Sequence, residues 1–517
     1  MIGQFNITGK QVKLTQRLIA ILSVILACVV GGGLLVLPAP EARAQFDNGA
    51  KQPEIKTETF LNPTIPANPS RGVTPPEKAF GQFAWQTFVA LNWPANCDGS
   101  PLKILIGQDP TAPRVWEFYN SPDQIFLPNG QDPSPVIPVV PPACKTPDTQ
   151  TQRLDLQLSE VEGEIENTKE SVFKTNILLP GGKPLIDQTG NYVLNEIRMN
   201  PMEVKQIVDW KWYSADNLQN FNNNVNFPND AKANPFALVC SDKSQGGIYE
   251  KTFPCRDNQD VGAIEIKSAW RVLPNPIPPE IESKYYTTNR TFLVEPAQKS
   301  ADGKEKEVTV PVALIGFHII QKTSKQGWTW ATFEHLDNAP DTGTKPDPKT
   351  DYILYNPNCK GQCEENKSYA KSPYLWRDEF PHAATKDGEG FKAQTPSQIT
   401  RLIPITGTAE SLNSEWQGEL RKINPDSIWQ NYQLIGTQWL GVPYNPYNNS
   451  LRDVQPNPPR ELANVTLEPY FQTEPIGSSC IACHTQAYLP KPNENTYADF
   501  SFLLNNAQSL SNSANVK

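Results

Sequence analysis

Residues 478–487 read SSCIACHTQA, which places Cys480 and Cys483 two residues apart and His484 directly behind the second. Three chemistries use such a set. A C-x-x-C pair can cycle between dithiol and disulfide, as in thioredoxin-like sites. A cysteine pair can supply half of a tetrahedral zinc site, provided a second ligand pair stands at metal-binding spacing. Two cysteines one helical turn apart can also each form a thioether with a former vinyl group of a porphyrin. The adjacent histidine then lies beneath the iron as a nitrogen ligand. The set lies late in the chain, with 33 of the 517 residues following His484.

The compartment decides what the cysteines are for. Lys10, Lys13 and Arg17 precede an apolar run from Leu18 to Leu37, and APEARAQ places Ala42 and Ala44 at a small-x-small cleavage site. That is the layout of a secretory signal, so residues 1–44 predict export to the periplasm or an equivalent compartment, with cleavage after Ala44. The same run is long enough to span a bilayer, and an uncleaved signal would anchor the chain in a membrane. With Cys28 in the signal and the motif pair set aside, Cys97, Cys144, Cys240, Cys255, Cys359 and Cys363 remain. Outside the cytoplasm an even set of this kind reads as disulfides. Pairing neighbours gives Cys97–Cys144, Cys240–Cys255 and Cys359–Cys363, among the roughly 15 connectivities that six cysteines allow. CKGQC at 359–363 is the one other close pair, and its three intervening residues suit a disulfide better than a second zinc half-site.

The alternatives to haem attachment fit this setting poorly. A thioredoxin-like site needs a βαβ pattern, whereas the flanks here are rich in proline. A structural disulfide between Cys480 and Cys483 leaves His484 without a role. Through CIACH and the export signal the chain resembles c-type cytochromes, over residues 478–487. The resemblance implies one covalently attached haem c, with Cys480 and Cys483 as the tethers and His484 as the proximal iron ligand. The chain departs from the small cytochrome c domain, which carries its motif near the start and a methionine ligand far downstream. No methionine follows His484, so the haem must be enclosed by what precedes it. A motif at the C-terminal end of a β-rich body is similar to the layout of the cytochrome P460 and β-type cytochrome c′ group.

The elements that must hold this motif follow from proline and periodicity. Fifty prolines against 30 glycines imply short helices and strands joined by many ordered loops. VTPPEKAFGQFAWQTFVALNWP predicts a helix, with Thr74 as N-cap, Pro75 at the first position and Glu77 closing a capping box. Its stripe of Phe80, Ala84, Phe88 and Leu91 predicts packing on a sheet, or against a haem edge. AIEIKSAWRV alternates Ile264, Ile266, Trp270 and Val272 on one strand face. A hairpin is predicted with strands near 308–323 and 327–335, a helix around 410–422, and a return to strand in NYQLIGTQWL. Ser478 or Ser479 would cap the short motif helix. The expected fold is a β-rich, mainly antiparallel α+β body with short helices, Pro-rich loops and a C-terminal haem-attachment helix. Its expected divisions are an extended polar linker at 45–73, a large β-rich domain at 74–470, and an attachment segment at 471–517 packed on that domain.

The distal iron ligand has few candidates. Met1 and His484 aside, the chain holds only Met199, Met202, His318, His335 and His382 as methionines or histidines. Met199 and Met202 flank Pro201, which suggests a turn, and His382 follows a proline in a stretch that reads as an exposed loop. His318 and His335 lie on the predicted hairpin among Phe317, Trp328, Trp330 and Phe333, so one of them, with His335 ahead, is expected to reach the distal side. Which sheet face each takes depends on register. The net charge is −9, and removing a signal that carries +3 leaves about −12. No basic tract with interleaved aromatics points to nucleic acid, and a basic redox partner protein would suit this charge. The function expected is single-electron transfer by an exported monohaem cytochrome. The alternative is a haem enzyme or gas-binding protein with an open distal site. Oligomeric state, electron donor and acceptor are not legible in the sequence.

Overall fold

A computed structural model of the chain describes residues 61–70, 72–145, 183–219, 261–294, 306–323, 327–377, 382–440, 460–474, 477–490 and 498–509. The expected signal at 1–44 and the expected Cys240–Cys255 pair lie outside the described residues. Two further pairs are bonded, Cys97 to Cys144 and Cys359 to Cys363. No helix among the described residues is long and apolar enough to cross a membrane.

Proline sets where helices begin. In α1, Pro76–Leu91, the ring at the first helical position needs no partner for a missing N–H. The expected Thr74 cap is therefore displaced: Pro75 is the N-cap and makes no side-chain cap. Glu77 closes no capping box and instead accepts a hydrogen bond from Thr406 Oγ1 at 2.7 Å. IRMNPMEV, expected to turn at Pro201, runs straight from strand into helix. Strand β1 is Leu194–Met199, Asn200 caps through its side chain, and α2 is Pro201–Asp209. Helix α3, Gly407–Ile423, is capped by Thr406, which accepts from the Ala409 N–H.

The strands that follow β1 are β2 (Ile264–Val272), β3 (Thr287–Val294), β4 (Lys306–Thr323) and β5 (Gly327–His335). Then come the small sheet of β6 (Leu375–Trp376), β7 (Ala383–Asp387) and β8 (Gly390–Ala393), and finally β9 (Tyr432–Trp439). The main sheet is six-stranded in the order β1-β2-β4-β5-β9, with β3 paired to the first half of β4. Every pairing between these strands is antiparallel, and the architecture is the β-rich α+β type expected.

Both faces of the sheet are covered, by different parts of the chain. Register assigns the faces: in the β4–β5 hairpin Phe317 opposes Phe333 and His318 opposes Thr332. On the helix face α1 and α3 pack Trp85, Phe88 and Trp416 against Phe317, Phe333 and Leu434. Phe88 stacks on Phe333 at 4.2 Å and Phe80 on Trp439 at 4.0 Å. Each fully buried apolar side chain of this kind contributes about 1.5–3 kcal/mol. The α1 stripe thus meets the sheet on the side away from Cys480. Ile264, Ile266, Trp270 and Val272 join the same core, as their alternation predicts. Residues 61–70, expected as part of an extended arm, are tied to the body where Gln321 Nε2 donates to the Pro66 carbonyl at 2.7 Å.

The opposite face carries Trp328, Trp330, Ile320 and Met199, covered by Ile481, Ala487, Phe500, Leu503 and their neighbours from the C-terminal segment. Residues 462–467 also approach the sheet closely. A Cβ on Gly316 would stand 2.0 Å from Thr466 Oγ1, so only glycine lets residues 462–467 lie against β4 there.

Candidate functional site

The motif residues form a one-turn helix, α4, Cys480–His484. Ser479 is its N-cap, accepting a hydrogen bond from the Ala482 N–H at 3.3 Å. Residues at i, i+3 and i+4 share a helix face, so Cys480, Cys483 and His484 project together and remain partly exposed. Ile481 points the other way and is fully buried in the C-terminal-face core.

Two remote groups fix this helix. Gln438 of β9 is fully buried, and its Oε1 accepts from Ser479 Oγ and from the Ile481 N–H, each at 3.2 Å. Its Nε2 donates to the Arg460 carbonyl at 3.1 Å. At the other end, His484 Nδ1 lies 2.5 Å from the carbonyl oxygen of Phe500. A carbonyl only accepts, so Nδ1 carries the proton and Nε2 keeps its lone pair. The His484 ring lies 5.2 Å from Phe502 and 5.7 Å from Trp330. Asp499 and Phe500 both adopt positive φ, 47° and 67°, a conformation unfavourable for side chains with a Cβ. The fully buried ion pair of Asp499 with Lys322 of β4 holds that conformation in place.

The electrostatic setting is shared by groups from four segments. Burial, with the Glu468 carboxylate beside it, pushes the Cys480 thiol well up and the Cys483 thiol to about 11. Both cysteines are unpaired thiols, protonated at neutral pH, the reverse of the setting that activates a thiolate nucleophile. Burial lowers His484 to about 4, against its Phe500 hydrogen bond, with His318 and Lys267 acting in the same sense as burial. Burial works against the ionised Glu468, but His318 and Lys267 hold its carboxyl below the usual range. Glu468 Oε2 lies 3.4 Å from His318 Nε2, an ion-pair contact longer than a good hydrogen bond.

The structure separates the two hairpin histidines. His318 opposes Lys267 on β2 and Thr332 on β5, on the face covered by the C-terminal segment. His335 is on the helix face, where its ring stacks on Tyr285 at 3.9 Å and meets Tyr432 edge-on at 5.2 Å. Its Nδ1 accepts from the Asp337 N–H and its Nε2 donates to the Lys284 carbonyl, each at 3.1 Å. Both ring nitrogens are engaged, and burial first of all lowers its pKa to about 4. Met199 is fully buried in the core, Met202 is half-buried on α2, and His382 is half-buried in a bridge with Asn191 rather than on an open loop. Gln438 and Lys267 were not legible as site residues, because only strand register brings them to the motif, and Glu468 and Phe500 were not, because they lie in irregular segments without a periodic pattern.

The arrangement offers two protonated thiols and one carbonyl-anchored imidazole on one partly open helix face. The one other close cysteine pair, Cys359–Cys363, is joined to itself and has no thiolates to offer a zinc ion. Comparison with protein-family models, curated proteins and solved structures finds no match to this chain.

Proposed function

We propose that this chain is an exported c-type cytochrome that holds one haem c and transfers single electrons. Cys480 and Cys483 would form the thioethers, and His484 Nε2 would be the proximal iron ligand. The observation that carries this reading is the His484 ring: its Nδ1–H is committed to the Phe500 carbonyl, leaving Nε2 as a neutral donor beside two unpaired thiols. Such an outer hydrogen bond sets the tautomer and the basicity of a ligating imidazole. The haem would supply one-electron redox chemistry, with potential set by axial ligation, hydrogen bonding and burial. The protein's own residues position it: Gln438 and Ser479 fix the thiol-bearing turn, and Phe500 orients the imidazole. Trp330 and Phe502 flank that ring and limit water around it. Of the two hairpin histidines, His318 is the better placed to be a distal ligand, since it shares the motif's sheet face.

A second reading rests on the Glu468 contact. While His318 stays with Glu468, a haem held by His484 would be left without a ligand from His318, and Lys267, His318 and Glu468 are ionisable groups close by. A haem enzyme or gas-binding protein would use such a site. An acidic chain of net charge −9 suits a redox partner with basic surface.

The test is export from a host with cytochrome c maturation. Haem is expected to stay with the polypeptide through denaturing electrophoresis, and Cys480→Ala with Cys483→Ala is expected to abolish this. Covalent haem persisting in that double variant would sink the proposal. Carbon monoxide separates the two readings, because a six-coordinate electron carrier binds it poorly and an open site binds it readily.

A further inference from the structure

Next to the segment that carries Phe500 lies a buried group of ionisable side chains with no part in haem attachment. Glu203 stands in the first turn of α2 and Glu265 on β2, only 1% and 5% exposed. Their carboxyl groups lie close enough to act on each other electrostatically. No N–H or hydroxyl donor reaches either oxygen of Glu203 or Oε1 of Glu265. Ser501 reaches Glu265 from the C-terminal segment. The charged groups facing the pair are Lys322 from β4 and Asp499 from the C-terminal segment, and these two are already paired with each other. Fully ionised, the group would hold three negative charges against one positive. Two buried carboxylates facing each other without a donor between them repel, and a proton taken up by the pair relieves that repulsion. Burial, then the mutual charge of the pair, pushes Glu203 well above the carboxylate range, and burial first of all pushes Glu265 to about 7.

The position of the pair matters as much as its chemistry. Asp499, Phe500 and Ser501 are consecutive residues. Asp499 and Ser501 face the carboxyl pair, and the carbonyl between them holds the His484 imidazole. We infer that Glu203 and Glu265 form a proton-binding site coupled to the oxidation state of the metal centre that His484 would hold. The inference rests on the reading of the motif as a haem site. When an electron arrives from a one-electron donor, one proton from solvent adds to a carboxylate oxygen of the pair and forms an O–H bond. When the electron leaves to an acceptor, that bond breaks and the proton returns to solvent. The added negative charge near His484 is thereby matched, and negative charge on the pair favours the oxidised state.

The experiment is a spectroelectrochemical titration of the full, exported holoprotein across the neutral pH range, alongside Glu265→Gln and Glu203→Gln. The wild-type midpoint is expected to fall with rising pH by up to tenfold in the redox equilibrium per pH unit, about 59 mV. Either glutamine variant is expected to flatten the slope. A wild-type midpoint independent of pH, or a slope unchanged in both variants, would overturn the inference. Infrared spectroscopy supplies a reading that needs no haem: a protonated-carboxyl C=O band at neutral pH, lost in each variant. Its absence from the wild type would overturn the inference even where the glutamine variants fold poorly. Failure of the haem reading is seen separately, as absence of haem on the denaturing gel, and it would remove the coupling while the infrared band still reports the shared proton.

Discussion

Gln438 shows how much of the motif's geometry rests on one distant side chain. Its amide satisfies the buried Ser479 hydroxyl and Ile481 N–H and the part-buried Arg460 carbonyl. Gln438→Leu keeps the volume roughly constant and removes all three partners. A buried polar group left unsatisfied costs about 1–3 kcal/mol, so a clear loss of stability is expected in urea unfolding. The yield of covalently bound haem should fall with it, because the thiol-bearing turn loses its anchor. An unchanged haem yield would show that the turn holds its geometry without β9. Nothing in NYQLIGTQWL marks Gln438 out, since a polar residue at an alternate strand position ordinarily faces water. Cys480, Cys483 and His484 are different: their types and spacing state their chemistry without reference to any other residue.

At the scale of elements, what was legible is what local pattern determines. The α1 stripe, the β4–β5 hairpin and the alternation of β2 each follow from sequence periodicity, and the structure forms all three. Capping was legible less well, because Thr74 competes with two prolines for the start of α1, and Glu77 finds Thr406 from another helix. Register was not legible at all. It puts His318 and His335 on opposite faces of one hairpin, a difference no propensity contains. The covering of the second face was equally hidden, and a close approach of residues 462–467 to β4 at Gly316 is part of it. Gly316→Ala tests that contact. The new methyl would meet Thr466 Oγ1 at 2.0 Å and the Ala269 Cβ at 3.2 Å. Overpacking of this kind costs roughly 1–3 kcal/mol, and the denaturation midpoint should fall accordingly. A variant as stable as the wild type would mean that this segment can shift without loss.

The molecule as a whole carries buried ionisable groups on both faces of one sheet, and their effects on stability have opposite signs. His335, on the helix face, is held by burial near 4, below its unfolded value of 6.5. As pH falls through that interval the unfolded chain gains a proton that the folded one refuses, so stability is lost toward acid. Glu265, on the other face, is raised from 4.5 to about 7. Here the folded state keeps a proton that the unfolded chain releases, so stability is lost as pH rises through that interval. The two slopes overlap between these values and act against each other there. Glu265→Gln removes the second slope and leaves the first. The stability of the variant relative to the wild type should therefore grow as pH rises from 4.5 to about 7, by at most about 1.4 kcal/mol per unit for one proton. Above that interval the difference should level off. Urea unfolding of both proteins at a series of pH values measures it directly, and a difference that stays constant with pH would mean that Glu265 is ionised in the folded chain.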